Sequence, residues 1–119
     1  MSDHHHFNYI ELPATDIAAM KVFYTAVFGW SYVDYGPKYA AITGAGMEGG
    51  FDGEAGARKP SDQGALVILY SDDLEATEQA VKAAKAEITA PIFIFPGGRR
   101  FHFKDPSGNE LAVWTNTAE

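Results

Sequence analysis

The sequence repeats one order of secondary-structure elements, and this repeat limits the folds that the chain can adopt. Alternating and apolar segments, separated by turn residues, predict β-α-β-β-β in each half. The halves align at an offset of about 57 residues, so that Ile10 matches Val67 and Asp16 matches Asp73. A four-stranded sheet covered by one helix keeps one open face. We therefore predict an α+β fold in which two βαβββ modules pair edge to edge and curve their open faces into a cleft.

The first module is predicted over residues 7–51. Its helix is expected to begin at Thr15 or Asp16 and to end near Phe28, because Gly29 is typical of the residue that follows a helix. The apolar residues between these ends form a broad helical stripe that would cover the sheet. The predicted strands cover residues 7–12, 30–35, 39–43 and 47–51.

The second module is predicted over residues 65–115. A polar, glycine-rich stretch at residues 52–64 is interpreted as the linker between the modules. The second helix is expected to begin at Ser71 or Asp72 and to end near Ala86. The predicted strands cover residues 65–70 and 88–95, followed by a hairpin within residues 99–114.

The hairpin has a tight turn from Lys104 to Asn109, in which Pro106 and Gly108 favour the turn conformations. Strand alternation places apolar side chains on one face and a polar set on the other. The polar set would face a cavity or water, and it comprises Arg100, His102, Glu110 and Trp114, with Ala112 between the last two. The Gly-Gly pair before the hairpin leaves the strand phase open by one residue, so Arg99 is the alternative to Arg100.

Composition restricts the classes of partner. The chain has 16 acidic and 9 basic residues and a formal net charge of −7. Nucleic acids and anionic membranes require clustered Lys and Arg, so we expect neither as a partner. The absence of cysteine excludes disulfides, thiol nucleophiles and Cys-ligated zinc. The amino-terminal residues lack the features of a signal peptide, and no apolar run approaches the ~20 residues that span a bilayer. A cytoplasmic protein is expected.

Two longer motifs stand near opposite ends of the chain, ELPATDIAAMKVFYTAVFGW at residues 11–30 and FKDPSGNELAVW at residues 103–114. With the βαβββ repeat, they resemble the vicinal oxygen chelate superfamily, which includes glyoxalase I, bleomycin and fosfomycin resistance proteins and extradiol dioxygenases. The resemblance covers essentially the whole chain and implies a single domain of the glyoxalase-like fold over residues 1–119. The matching residues are Asp16, Phe23, Tyr24, Phe28, Gly29, Trp30, Asp105, Pro106, Gly108 and Asn109.

The resemblance also implies a divalent metal held by His, Gln or Glu on the inner strands. Motif offsets carry three of the four ligand positions onto Tyr9, Leu66 and Ala112. The fourth lies on the strand at residues 47–51, where Glu48 or one of the next two glycines occupies it. Leu66 and Ala112 cannot ligate a metal, and Tyr9 is a poor ligand for such ions. We expect no cofactor or, if there is one, a divalent metal.

A cleft lined by aromatic and aliphatic side chains with a few polar groups is typical of small-molecule sites. Strand alternation and the resemblance give the residues that would line it. Arg100 is suited to bind a carboxylate or phosphate, and Ile68 belongs to the same face. The predicted ligand-binding residues are Tyr9, Leu66, Tyr70, Arg100, Ala112 and Trp114.

Glu11, His102 and Glu110 are the predicted catalytic residues if the protein is an enzyme. Either carboxylate could act as a general base, and histidine exchanges protons near neutral pH. Each also has a structural interpretation, because Glu11 could pair with Arg100 or Lys104 and His102 could be an ordinary hydrogen-bonded histidine. The tract His4 to His6 is interpreted as a solvated tail or the remnant of an added tag, although it could bind metal adventitiously.

The leading hypothesis is a protein that binds a small, partly aromatic or apolar molecule in the cleft between its modules without the usual metal. Resistance proteins of the superfamily give a precedent for binding without turnover. One alternative is a metal-dependent lyase or isomerase of the glyoxalase type, with Glu11, Glu48, His102 and Glu110 as displaced ligands. Another is metal-free acid–base catalysis by Glu11, His102 or Glu110. The resemblance further implies a homodimer. Whether the two modules pair within one chain or are swapped between two chains stays open.

Overall fold

The computed structural model describes residues 4–54 and 58–117, and it confirms the repeated βαβββ order. The chain divides into two compact units between Lys59 and Pro60. This boundary falls inside the predicted linker, of which residues 55–57 lie outside the described residues. The edge-to-edge pairing of the two modules stays a prediction from the sequence. Within the described ranges, no helix is long and apolar enough to cross a membrane.

The first module is a mixed four-stranded sheet with one helix. Its elements are β1 (Tyr9–Pro13), α1 (Ile17–Phe28), β2 (Ser31–Asp34), β3 (Tyr39–Thr43) and β4 (Glu48–Asp52). The strand order is β1-β4-β3-β2, in which only β1 and β4 run parallel. Asp16, one of the two expected caps, accepts a hydrogen bond from the backbone N–H of Ala19 at 3.0 Å. The helix ends at Phe28, and the N–H of the capping residue Gly29 donates to the carbonyl of Thr25.

Aromatic packing joins α1 to one face of this sheet. Tyr24 is fully buried and stacks on Trp30 with ring centroids 4.6 Å apart. It also contacts Phe51 of β4, at 5.5 Å between centroids. Aromatic side chains bury about 150–250 Å² each, so this cluster dominates the hydrophobic stabilisation of the module. The opposite face of the sheet is left for polar side chains.

The second module repeats the arrangement. Its elements are β5 (Val67–Tyr70), α2 (Leu74–Ala83), β6 (Glu87–Phe95), β7 (Gly98–Lys104) and β8 (Glu110–Thr115). The strand order is β5-β8-β7-β6, with β5 parallel to β8 and the other pairs antiparallel. The strand order therefore corresponds, element by element, to that of the first module.

The helix α2 differs from the prediction at both ends. Asp73 is the N-cap, rather than Ser71 or Asp72, and its side chain accepts the N–H of Ala76 at 3.1 Å. The Ser71 hydroxyl instead accepts the N–H of Asp73 at 3.0 Å, which shapes the turn before the helix. The helix ends at Ala83 and not near Ala86, because Lys85 adopts a left-handed backbone conformation with φ of 69° that leads the chain into β6.

The predicted turn between β7 and β8 is confirmed, and Asp105 organises it. One oxygen of its buried carboxylate accepts the backbone N–H groups of Ser107, Gly108 and Asn109 at 2.9–3.0 Å. The other oxygen accepts the side-chain amide of Asn109 at 2.9 Å. Gly108 has a φ of 99°, a left-handed conformation that favours glycine. The turn thereby fixes the register of β8 against β7.

This register sorts the side chains of the hairpin as predicted. The fully buried apolar residues of the helix side are Phe101, Phe103, Leu111 and Val113. Arg99 also belongs to the helix side, where its guanidinium forms an ion pair with Glu75 of α2. The one-residue shift that would place Arg99 on the open face is therefore excluded. Arg100 lies on that face, opposite Trp114 of β8.

On the open face of the first module, the phenol groups of Tyr9 and Tyr39 contact each other, and Tyr39 lies above Gly50. A Cβ atom at Gly50 would lie 2.1 Å from the hydroxyl oxygen of Tyr39, so only glycine leaves room for the Tyr39 ring. The Tyr39 hydroxyl donates to Oε2 of Glu11 at 3.0 Å. Because its one proton is used in that bond, the hydroxyl of Tyr9 is the donor in the short contact with Tyr39. Burial, followed by these hydrogen bonds, raises the pKa of Tyr39 well above its usual range.

Replacing the turn carboxylate tests its structural role. We expect Asp105→Ala to lower the free energy of unfolding by about 3 kcal/mol, because buried N–H groups lose an ionised acceptor. Asp72→Ala removes an exposed carboxylate before α2 and is the matched control, with an expected change within about 0.5 kcal/mol. Urea denaturation measures both values. Similar values for the two variants would contradict the role of Asp105.

The raised pKa of Tyr39 makes a prediction about alkaline stability. In the unfolded chain its phenol ionises near the ordinary value of 10.0, whereas in the folded chain it stays protonated. Its contribution to stability is therefore complete below about pH 10 and is lost as the pH rises above that value. We expect the free energy of unfolding to fall less steeply above pH 10 in Tyr39→Phe than in the wild type. Tyr35→Phe, at a phenol that is 67% exposed, is the control in the same denaturation series.

Candidate functional site

The open face of the second module holds an arginine between two aromatic rings. The guanidinium carbon of Arg100 lies 5.4 Å from the ring centroid of Phe93 and 5.4 Å from that of Phe95. Two register shifts in β6 bring Phe93 opposite Arg100. Cation–π contacts of this kind orient the guanidinium but leave its positive charge uncompensated.

Arg100 lines a cavity of about 250 Å³ together with Ile68, Phe95 and Trp114. The ring of Tyr70 packs edge-on against Trp114, with centroids 5.4 Å apart. Within the described part of the chain, the Nε atom of Arg100 is buried and has no hydrogen-bond partner. A guanidinium with unused donors beside aromatic walls is suited to bind a carboxylate or phosphate group.

Beside Arg100 on the same face, His102 and Glu110 form a hydrogen-bonded chain with Thr89. Nδ1 of His102 lies 3.2 Å from Oε2 of Glu110, and the Thr89 hydroxyl donates to the same oxygen at 2.8 Å. A carboxylate only accepts, so we assign the proton of this contact to Nδ1. When the ring is neutral, Nε2 then carries the lone pair. Nε2 is buried and finds no hydrogen-bond partner among residues 4–54 and 58–117.

His102 and Glu110 border a second cavity, of about 180 Å³, which Leu66 and the preceding loop complete. The hairpin holds this loop in two places. The N–H of Glu110 donates to the carbonyl of Ser61 at 3.3 Å, and Lys104 lies 3.5 Å from Asp62. A hydrogen bond from the Gln63 side chain, followed by the charge of Lys104, holds the pKa of Asp62 below its usual range. The loop therefore presents a carboxylate near the rim of the cavity.

Most of the site residues predicted from the sequence lie on this one face. Tyr70, Arg100 and Trp114 surround the first cavity or pack against its wall, while Leu66, His102 and Glu110 border the second. Ala112 pairs with His102 between the two groups and is fully buried.

Tyr9 and Glu11 belong to the open face of the first module, where Tyr39 joins them. Within the first module Glu11 accepts the hydrogen bond from Tyr39, and within the second module Lys104 pairs with Asp62.

Sequence reasoning missed four residues of these clusters. Phe93 and Phe95 share one side of a predicted strand, so alternation could have placed them beside the arginine. Thr89 reaches Glu110 only because β6 is irregular, and a regular alternation does not reveal such bulges. Tyr39 was indicated indirectly, by Gly50 of β4, which makes room for its ring.

The donor groups for a metal are few. Within the described ranges, no group of three or more His, Asp or Glu side chains is arranged to hold a metal ion. Of the ligand positions carried over from the resemblance, Leu66 and Ala112 offer only hydrocarbon. On β4 the position falls on Glu48, which is exposed, or on Gly49 or Gly50, which have no side chain. The residues at these positions therefore do not fit the metal that the fold family implies.

Comparisons with known proteins agree with this architecture. The family model of the Glyoxalase/Bleomycin resistance protein/Dioxygenase superfamily matches residues 6–113. A family enzyme from Burkholderia phytofirmans PsJN has a similar fold, with a TM-score of 0.79 at 19% identity over 92% of this chain and 97% of that chain. Lactoylglutathione lyase from Agrobacterium tumefaciens gives a TM-score of 0.71 at 18% identity, over 93% of both chains. At these identities the likeness concerns the fold alone.

Curated relatives are closer in sequence but longer. The protein named "Putative glyoxylase CFP32" in Mycobacterium bovis and in Mycobacterium tuberculosis is 30% identical over 122 aligned residues, which cover 90% of this chain. The chain spans 44% of the length of these relatives. Because the family model matches nearly all of the chain and the βαβββ modules agree with it, the chain belongs to the glyoxalase/bleomycin resistance protein/dioxygenase superfamily.

Proposed function

We propose that the protein binds a small anionic molecule with an aromatic or apolar body on the open face of its second module, without a divalent metal. The observation that carries this proposal is the guanidinium of Arg100, held between Phe93 and Phe95 with its Nε atom buried and unpartnered within the described residues. A buried donor without an acceptor is unfavourable, and a ligand carboxylate or phosphate would satisfy it.

The size of the cavity restricts the ligand. Its volume of about 250 Å³ lies below the roughly 300–1,000 Å³ of pockets for drug-sized molecules. A ligand with one ring and a short acidic chain suits this space, with its ring against Trp114 and its acidic group at Arg100.

The chemistry of the expected ligand positions supports metal independence. Leu66 and Ala112 have no donor atoms, and the nearby donors His102 and Glu110 are bonded to each other. The names of the relatives favour a lyase of the glyoxalase type, but this donor set argues against a metal-dependent one. On the family resemblance we also propose a homodimer.

Matched probes test the role of Arg100. We expect 3-phenylpropanoate to bind at least about tenfold more tightly than the neutral 3-phenylpropan-1-ol, because a hydrogen bond to a charged group contributes about 1.5–3 kcal/mol. Arg100→Met should remove this preference and leave alcohol binding within about twofold. Arg58→Met, at an exposed arginine in the middle of the predicted linker, is the control and should keep the preference. Ligand-observed NMR titration gives the dissociation constants. Equal affinities for acid and alcohol in the wild type would refute the anion site.

Removal of metal provides a separate test. A variant with His4, His5 and His6 replaced by serine excludes adventitious metal binding by the tail. We expect its affinity for 3-phenylpropanoate to be unchanged, within about twofold, after exhaustive dialysis against EDTA and after addition of Zn²⁺, Ni²⁺ or Mn²⁺. A loss of binding on dialysis that a stoichiometric amount of one metal restores would overturn metal independence.

A further inference from the structure

We infer that His102 is a general base, so that the ligand site can remove a proton from a carbon atom of the ligand. Glu110 positions His102, and Thr89 positions Glu110. The ligand would be an aromatic 2-oxo acid, whose C3–H bond is acidified by the neighbouring carbonyl group. This inference rests on the proposed function, because Arg100 would hold the carboxylate of the same ligand.

The base and its orienting group have the required geometry. A catalytic imidazole is fixed by a carboxylate at one nitrogen and acts with the other. His102 meets this requirement, since Nδ1 lies 3.2 Å from Glu110 and Nε2 has no partner within the described ranges. The ring of Phe93 lies 5.7 Å from the His102 ring and limits its rotation.

The position of Glu110 makes it the orienting group rather than the base. Its Oε2 atom already accepts bonds from both His102 and Thr89, and its side chain is only 19% exposed. A purely structural hydrogen bond between His102 and Glu110 would leave the burial of the second imidazole nitrogen without a partner unexplained. Such unsatisfied atoms are uncommon in folded proteins and call for a functional explanation.

The arrangement of Arg100 and His102 fits a short acid. They are two residues apart on β7 and share a face, so their Cα atoms are about 7 Å apart. In the proposed complex, a ligand whose carboxylate binds Arg100 extends along β7 and places its C3 carbon beside His102. The cavity that His102 and Glu110 border gives space beside the imidazole.

The proposed step conserves atoms and electrons. The lone pair of Nε2 takes a proton from C3, and the electrons of the C3–H bond form a C2=C3 double bond. The electrons of the C2 carbonyl bond move to its oxygen, which gives an enolate beside Arg100. The proton now on Nε2 exchanges with solvent, and return of a proton from His102 to C3 regenerates the 2-oxo acid. In heavy water the returned proton is a deuteron, so the cycle replaces C3–H by C3–D.

Deuterium exchange into phenylpyruvate tests this step, because the molecule combines a ring, a carboxylate and an acidic C3–H. NMR measures the exchange rate in heavy water, with the rate in buffer subtracted. We expect the wild-type protein to accelerate exchange and His102→Gln to lose at least about 100-fold of that acceleration, with an unchanged KM. Binding of 3-phenylpropanoate to His102→Gln, measured in parallel, verifies that the variant is folded.

Two further variants separate a base from a structural histidine. Added imidazole should restore exchange to His102→Gly, beyond the exchange that imidazole alone catalyses in buffer. Glu110→Gln should lower kcat about tenfold or more, whereas Glu110→Asp should recover part of the loss. A role limited to stability predicts neither the rescue by imidazole nor the partial recovery.

The outcomes distinguish this inference from the proposed function. Binding of 3-phenylpropanoate without accelerated exchange in the wild type would overturn the base and leave the proposed function standing. Exchange that persists in His102→Gln would also overturn the base. If 3-phenylpropanoate does not bind, the proposed function itself fails.

Discussion

The hydrogen bonds of Asp105 are the interaction on which the candidate site depends. They close the turn between β7 and β8 in one geometry, and a slip of one residue would move every side chain of β8 to the other face. Glu110 and Trp114 would then point at the helix, and Leu111 and Val113 would leave the core. The carboxylate of Asp105, at the tip of the hairpin, thus determines which side chains of β8 lie on the open face.

The two consecutive arginines of β7 show how strand alternation assigns different tasks to identical residues. Arg99 faces α2, where Glu75 compensates its charge. Arg100 faces the other way, where aromatic rings orient it but supply no negative charge. The chain has a net charge of −7, yet none of its described carboxylates forms an ion pair with Arg100. This positive charge on an aromatic face favours anionic ligands at that point.

The repeated fold could be predicted from the sequence because its signals are local. Strand alternation, Gly29 after α1 and the Asp-Pro-Ser-Gly-Asn turn each act within a few residues. The contacts that complete the candidate site depend on long-range geometry instead. The hydrogen bond from Thr89 to Glu110 needs a bulge in β6, and the hydrogen bond from Tyr39 to Glu11 needs the register of three strands.

The cap of α2 was missed because Ser71, Asp72 and Asp73 are all good caps, and only the turn geometry chooses among them.

The close approach of Tyr39 to Gly50 has a consequence for how this sheet face could change over evolution or in design. A glutamate or histidine introduced at Gly50 would collide with a phenol that is itself bonded to two neighbours. A donor side chain at this point of β4 therefore requires a smaller residue at position 39, introduced in the same step or before it. The two positions are coupled, because a substitution at Gly50 alone gives a strained protein.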